Sequence, residues 1–382
     1  MKALIIGCGN MGSVAAEDLA ASMSSVEIVV ADKETERARK TAEKINSRNV
    51  SWISLDMAKP DELVATLKDF DVTLGFLPGN LGFSLIKTCI DAKRDLVDVS
   101  FMAENPLTFD SEALKANVTV VPDCGLAPGI SNILVGHAAG MLDEIRTVHI
   151  MVGGLPKKPL PPLGYVVTWS AESLIDEYSR KASIVKHGKI VEVEALTGVE
   201  EVEIPKVGRL EAFYTDGLRT LIHTMRNADE MWEKTLRYSG HAEKIRLLKQ
   251  LGFFEEKKVE ASGMSISPRK VTAKLLSGKL RKPDVEDMVV LKVEVSGIKN
   301  SEPTRYVYHL LDFCDEKRRV SAMARTTAYP ASIIAQLMLK KAVKGKGVVA
   351  PEKIGADGEV YKLFLAELER REIDISEEKV VD

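Results

Sequence analysis

Short apolar runs alternate with amphipathic ones from the first residues of the chain. "KALII" reads as a buried strand, and "GSVAAEDLAAS" after it spaces Ala and Leu as a helix does. "VEIVVAD" predicts a second strand ending on Asp32, "KETERARKTAEKI" a charged helix, "DELVATLKDF" another helix and "DVTLGFLP" another strand. "GFSLIKTCIDAK", "DLVDVS", "SEALKAN" and "VTVVPDCG" continue the alternation as helix, strand, helix, strand. Strands alternating with helices build βαβ units. The expected fold class is therefore α/β, with an N-terminal doubly wound parallel sheet of the Rossmann type.

The rhythm changes after Gly125. "APGISNILVGHAAGML" predicts a helix between Pro128 and Gly140, and "TVHIMVGGLP" a strand. A proline-rich loop spans Leu155 to Gly164. "KIVEVEAL", "EEVEIP", "EAFYTDG", "VTAKLL", "MVVLKVEVSGI" and "TRYVYHLLDF" then alternate with a period of two, with the helical "HAEKIRLLKQLGFF" among them. This pattern predicts an α+β domain on a mostly antiparallel sheet with one open face. In the tail, "ARTTAYPASIIAQLMLKKAVKGKG" predicts an apolar helix after Pro330. The expected divisions are a dinucleotide-binding domain over 1–127, an α+β substrate and dimerisation domain over 128–322, and a segment over 323–382 that returns to the first domain.

Composition narrows the function classes. A net charge of −3 with interspersed signs leaves no basic stripe for nucleic acid. No window reaches the roughly 20 apolar residues of a membrane span, and no signal peptide is visible at the N-terminus. The four cysteines lie far apart, with no CxxC pair and no His at ligand spacing, so no metal site is expected and a reducing cytoplasm fits best.

The glycines between the first strand and helix carry the strongest chemical signal. Strand, G-x-G-x-x-G and helix is the context a dinucleotide fingerprint requires. Gly7 makes the tight turn, Gly9 lets the backbone approach a pyrophosphate, and Gly12 lets the helix pack on the strand. Asn10 and Met11, within the same turn, join the cofactor-binding candidates, and the helix beginning at Gly12 would turn its N-terminus to the phosphates. Asp32 stands about twenty residues beyond Gly12, where a carboxylate accepts ribose hydroxyls and repels a 2′-phosphate. That predicts NAD over NADP; Lys33 and Arg37 beside it are the groups that could reverse the choice. Leu77 and Pro78, in "FLPG", are expected to form the lip on the nicotinamide side.

Beyond the fingerprint, "VDVS" (Val97–Ser100), "DCGLAPGISN" (Asp123–Asn132), "TWSAESLIDEY" (Thr168–Tyr178), "FYTDGLRTL" (Phe213–Leu221), "MARTTAYPA" (Met323–Ala331) and "GVVAPE" (Gly347–Glu352) run through almost the whole chain. In these segments the sequence resembles the saccharopine dehydrogenase family, and within it the lysine 6-dehydrogenase branch. The resemblance implies a nicotinamide-dependent enzyme that moves hydride at a carbon bearing an amine, with an amino acid as its substrate. The alternatives are a secondary-amine-forming or -cleaving reaction, as in saccharopine dehydrogenases, and a nucleotide-sensing relative without catalysis.

Such chemistry needs a proton acceptor for the amine. Asp98 and Asp123 end successive strands at the edge that faces the ligand crevice in open α/β sheets. A turn residue is the plainer role for either. Cys124 fits a small buried filler better than a reactive thiol. Arg219, beside Tyr214 and Asp216, is the first choice for a substrate carboxylate, with Arg305 second. Trp169 and Glu172 could line the pocket, Glu172 facing an ammonium. Of the six histidines, His223 lies nearest these residues and is the catalytic candidate among them. A homodimer paired through the open sheet face is the expected assembly.

Overall fold

The computed structural model describes residues 1–282 and 285–381. Two compact units emerge: Met1–Met141 with Ala324–Asp374, and Leu142–Met323 with Ile375–Asp382.

In the first unit the strands are β1 (Lys2–Ile6), β2 (Glu27–Asp32), β3 (Val50–Ser54), β4 (Val72–Gly75), β5 (Asp95–Asp98) and β6 (Thr119–Val121). They lie in the order β3-β2-β1-β4-β5-β6, every pair parallel, and the short strand Gly347–Val348 extends the sheet beyond β6. Ala3 to Ile6 are buried, as a central strand covered on both faces demands. Helices α1 (Asn10–Ser22), α2 (Thr35–Ile45), α3 (Pro60–Leu67) and α4 (Gly79–Ala92) make the first crossovers. The strand order reverses between β1 and β4, the position at which such sheets open a ligand crevice. Strand β3 is absent from the sequence expectations. It is the sheet edge, with Trp52 exposed, so it lacks an apolar run.

The first unit continues to Met141, beyond the expected boundary at residue 127, because the helix Ile130–Met141 packs on the helix Pro351–Ala356. Glycines make that approach possible. A Cβ on Gly136 would lie 1.9 Å from the Glu352 carbonyl oxygen, and one on Gly355 would lie 1.9 Å from that of Ile133. Arg371 joins the C-terminal segment to α1 through a two-pronged pair with Asp18 at 2.6 and 3.0 Å.

The tail helix runs Ala322–Leu339, so Pro330 lies inside it instead of preceding it. Its start depends on a distant group: the Asp287 carboxylate accepts from the N–H groups of Ala322 and Met323 at 2.7 and 3.0 Å.

The second unit holds a nine-stranded mixed sheet. Its main path is Glu200–Ile204, Gly208–Tyr214, Glu230–Arg237, Glu144–Pro156, Asp287–Lys299, Glu302–Phe313 and Ile375–Val381. The hairpin Ala182–Lys186 with Lys189–Val193 pairs off Glu230–Arg237. Neighbours are antiparallel except Glu230–Arg237 against Glu144–Pro156. "VTAKLL" is not a strand. It lies in the helix Pro268–Leu280, which the Ser267 hydroxyl caps and Pro268 opens. The residues it buries, Ala273, Leu276 and Leu280, follow the helical period.

Candidate functional site

In the turn from β1 to α1 the three glycines are used differently. Gly7 has φ +99°, and a Cβ there would lie 2.4 Å from the Phe76 carbonyl oxygen. A Cβ on Gly12 would lie 1.8 Å from the Gly7 carbonyl oxygen. A Cβ on Gly9 would meet nothing within 4 Å. Gly7 and Gly12 are thus locked by packing, while Gly9 borders open space at the α1 N-terminus. No side chain caps that terminus, so its N–H groups suit a bound anion. The arrangement fits a dinucleotide pyrophosphate. Gly9 and Asn10 are exposed and Met11 is half-buried. Leu77 (half-buried) and Pro78 (exposed) form the second turn, after β4, which packs on the first through Phe76 and Gly7.

Asp32 is buried at the end of β2. One oxygen accepts from the Cys8 N–H at 2.9 Å and lies 3.6 Å from the Arg37 guanidinium; the other accepts from the Glu34 N–H at 2.9 Å. A carboxylate has about four lone-pair sites, so room remains for a hydroxyl. The Cys8 thiol is pushed up to about 12 by burial and then by the Asp32 charge; Cys124, wholly buried, is also pushed up. Neither is a reactive thiolate.

Asp98 and Asp123 both lie at the carboxyl edge of this sheet, and both are buried. Asp98 accepts from the Ser100 N–H and the Ser100 hydroxyl, each at 2.9 Å, and its backbone carbonyl accepts from the Cys124 N–H. Burial raises its pKa to about 7; the Asp123 charge adds to the rise and the Ser100 contacts oppose it. With both oxygens engaged by its own turn, Asp98 acts as a bracket between β5 and the Asp123–Gly125 turn. Asp123 has φ +52°, a left-handed conformation at the first residue of that turn.

The remaining candidates lie in the second unit. Trp169 is half-buried against the core, and its indole N–H donates to the Tyr165 hydroxyl at 3.1 Å. Glu172 is exposed in the first turn of the helix Ala171–Ser179, a favourable place for a carboxylate. Asp216 lies 3.6 Å from Arg180, just past that helix. Tyr214 is covered by the Lys234 ammonium, 4.6 Å from its ring centre. Arg219 is half-buried with φ +54°. Its charge reaches His223, whose pKa is lowered by burial first and then by Arg226 and Arg219. Arg305 lies 3.5 Å from Glu294 on the sheet. Asp216, Arg219 and His223 share one stretch of sequence, within which the Arg219 charge acts on His223 while Asp216 faces Arg180.

A buried polar chain beneath that stretch escaped the sequence analysis. Glu233, Thr235 and Arg237 point inward from the strand Glu230–Arg237. The Thr215 hydroxyl lies 2.6 Å from the Glu233 carboxyl and 2.7 Å from the Thr235 hydroxyl. Arg237 donates to Glu177 at 2.9 Å. The Tyr178 hydroxyl and His241 Nε2 are 2.8 Å apart, and His241 Nδ1 lies 2.9 Å from the Leu163 carbonyl. A carbonyl only accepts, so Nδ1 donates to it, and Tyr178 donates to Nε2 of a neutral imidazole. Burial agrees, holding His241 down to about 3. Glu233 is held well above the carboxylate range by burial. A Cβ on Gly217 would lie 2.5 Å from the Glu233 carboxyl, so the "YTDGLR" turn rests directly on it. Three polar residues at alternate inward positions of one strand were the available signal.

A glycine-turned nucleotide cradle on a doubly wound sheet, joined to a mixed-sheet unit, defines a two-unit nucleotide-binding protein. The model for the saccharopine dehydrogenase NADP binding domain matches residues 3–121, and that for the saccharopine dehydrogenase C-terminal domain matches residues 125–374. The chain belongs to the saccharopine dehydrogenase family. It is 27% identical over 267 residues to the saccharopine dehydrogenase [NADP(+), L-glutamate-forming] of Saccharomyces cerevisiae, covering 66% of this chain and 58% of that one. Against the alpha-aminoadipic semialdehyde synthase of Arabidopsis thaliana it is 23% identical, covering 88% of this chain and 39% of that one. With the carboxyaminopropylagmatine dehydrogenase of Synechocystis sp. it shares 22% identity over 95% of both chains. The solved apo structure of the Saccharomyces cerevisiae saccharopine dehydrogenase (L-Glu forming) superimposes with a TM-score of 0.80 over 99% of each chain at 22% identity, a likeness of fold. Among the described residues no helix is long and apolar enough to cross a membrane.

Proposed function

We propose that the protein is a nicotinamide-dependent dehydrogenase that oxidises an amine-bearing carbon of an amino acid, with the ε-amine of L-lysine as substrate, its semialdehyde as product, and NAD as cofactor. The observation that carries this is the pairing, on one sheet edge, of the open cradle at Gly9 with the buried carboxylates Asp98 and Asp123. A bound nicotinamide supplies the hydride acceptor. An ammonium nitrogen has no lone pair to drive hydride loss, so a proton must leave first. Asp123 takes that proton. Asp98, whose backbone carbonyl accepts from the Cys124 N–H and whose carboxyl is raised to about 7 by burial, fixes the turn and sets the local charge. Arg219 holds the substrate's α-carboxylate, with Tyr214 and Asp216 shaping the turn around it. Water adds to the substrate's iminium carbon and ammonia departs. His223 has no proton transfer in this scheme.

NAD is favoured by the buried Asp32 carboxylate at the ribose position, although the model matching this unit is described as NADP-binding. A secondary-amine substrate is the second reading, favoured by the names of the Saccharomyces and Synechocystis relatives. The chain spans 58% of the Saccharomyces enzyme it matches, so that enzyme's activity does not transfer by length alone. Two copies pairing through the open sheet face complete the proposal. The test is nicotinamide reduction with lysine, saccharopine and other amino acids, offering NAD and NADP separately. Turnover with lysine and NAD supports the first reading; turnover only with saccharopine or a related secondary amine supports the second.

A further inference from the structure

The second unit contains a half-open cavity of about 290 Å³ between the hairpin Ala182–Val193 and the short helix Leu221–Thr224. Its walls are apolar: Val185, Ile190, Ile222, Met225 and Met231. The polar side chains lining it are those of His223 and Arg226. That volume lies at the lower end of small-molecule sites.

The two polar side chains keep hydrogen-bonding capacity that the described residues do not use. The backbone of His223 is used, its N–H donating to Thr220 and its carbonyl accepting from Arg226 Nε at 3.0 Å. Its imidazole, half-buried, makes no hydrogen bond among the described residues. Arg226 makes no ion pair among them either. The charges acting on His223, those of Arg226 and Arg219, are both positive. Lys186 and Lys189, exposed at the hairpin tip, add to the same sign. Of the acids just upstream of Met231, Glu230 is engaged by His149 and by the Trp232 indole N–H, and the exposed Asp229 is not among the groups lining the cavity. An apolar hollow edged by cations, with no carboxylate among its lining residues, is complementary to an anion with an apolar body.

We propose that this cavity binds a small monocarboxylate with an aliphatic body, its carboxylate held between Arg226 and His223 and its chain against Ile190, Met225 and Met231. The site is independent of nicotinamide chemistry and goes beyond the activity proposed above.

The experiment is a titration of the full chain with hexanoate, observed through ¹³C-labelled histidine rings, with the His223 signal assigned from His223→Gln. A bound carboxylate favours the imidazolium, so saturable binding should raise the His223 pKa. Hexylamine (same body, opposite charge) and acetate (same charge, no body) should not saturate the signal in the range where hexanoate does. Arg226 is exposed, so Arg226→Gln should fold normally and weaken hexanoate binding by roughly tenfold or more. Ile190→Trp, at another exposed position, should block the cavity and abolish the response. The proposal is overturned by no saturable change at His223 in millimolar hexanoate, by equal responses to hexylamine, or by unchanged affinity in Arg226→Gln.

Discussion

At the scale of single residues, Gly9 and Asp98 show opposite relations between sequence and role. Nothing in the fold itself requires glycine at position 9, where a Cβ would meet open space; only a bound ligand would. Gly9→Val should leave the fold intact and abolish nucleotide binding, measured by fluorescence titration with NAD and NADP; unchanged affinity in a folded variant would remove the cradle from this turn. For Asp32→Ala the expected result is weaker NAD binding with NADP equal or better, because Arg37 is released toward a 2′-phosphate. A preference for NAD kept at the same ratio would detach Asp32 from the ribose. Asp98 was legible as a strand-end carboxylate, whereas its engagement by Ser100 was not, since a turn hydrogen bond leaves no trace in spacing. Folding raises its pKa from 3.8 to about 7, so the folded chain binds more protons between those values. Its contribution to stability is full below about pH 4 and is lost as pH rises through 7, by at most about 4 kcal/mol. Asn can hold Ser100 without the titration, its Oδ1 accepting from the Ser100 N–H and its Nδ2 donating to the Ser100 hydroxyl. Melts of Asp98→Asn and the parent should therefore diverge in the variant's favour as pH rises from about 4 to about 7 and run parallel above that; profiles parallel throughout would contradict the raised pKa.

At the scale of elements, period and capping explain which expectations held. The βαβ alternation was readable because its buried strands are continuous apolar runs, and the edge strand β3 was not because it is half exposed. "VTAKLL" is too short to separate the two periods, and the cap at Ser267 decides it. The start of the tail helix depends on Asp287, a residue no local reading connects to it. Several segments that carried the family resemblance serve packing: "DCGLAPGISN" and "GVVAPE" meet through the buried Asn132 and Glu352, 3.4 Å apart. Gly136→Ala forces a Cβ into the Glu352 carbonyl and should destabilise the first unit by about 1–3 kcal/mol in urea denaturation; an unchanged midpoint would mean that the helices are not so close. In the other unit, burial favours the neutral carboxyl of Glu233, so Glu233→Gln, a neutral group of the same shape, should be nearly silent in stability. A loss of several kcal/mol would mean that the group is ionised.

For the whole molecule, the fold class and family follow from features spread along the chain, while substrate identity rests on a few side chains whose partners the sequence does not reveal. Trp169 and Arg305, both pocket candidates by residue type, are respectively hydrogen-bonded to Tyr165 and placed beside Glu294. Arg219 is the residue proposed to hold the substrate carboxylate, and on that proposal Arg219→Ala should raise KM for lysine by about two orders of magnitude while leaving NAD affinity unchanged. Cadaverine, which lacks the carboxylate, should lose far less; equal losses would assign Arg219 a structural role. The most direct measurement is reduction of NAD by the purified full chain with L-lysine, followed by the absorbance of the reduced nicotinamide, beside Asp123→Asn. The account predicts steady reduction that depends on lysine and falls by at least about two orders of magnitude in the variant, which still binds NAD. A folded, NAD-binding protein that reduces no nicotinamide with lysine or any other amine-bearing amino acid would contradict it, as would an Asp123→Asn variant that turns over at the parent's rate.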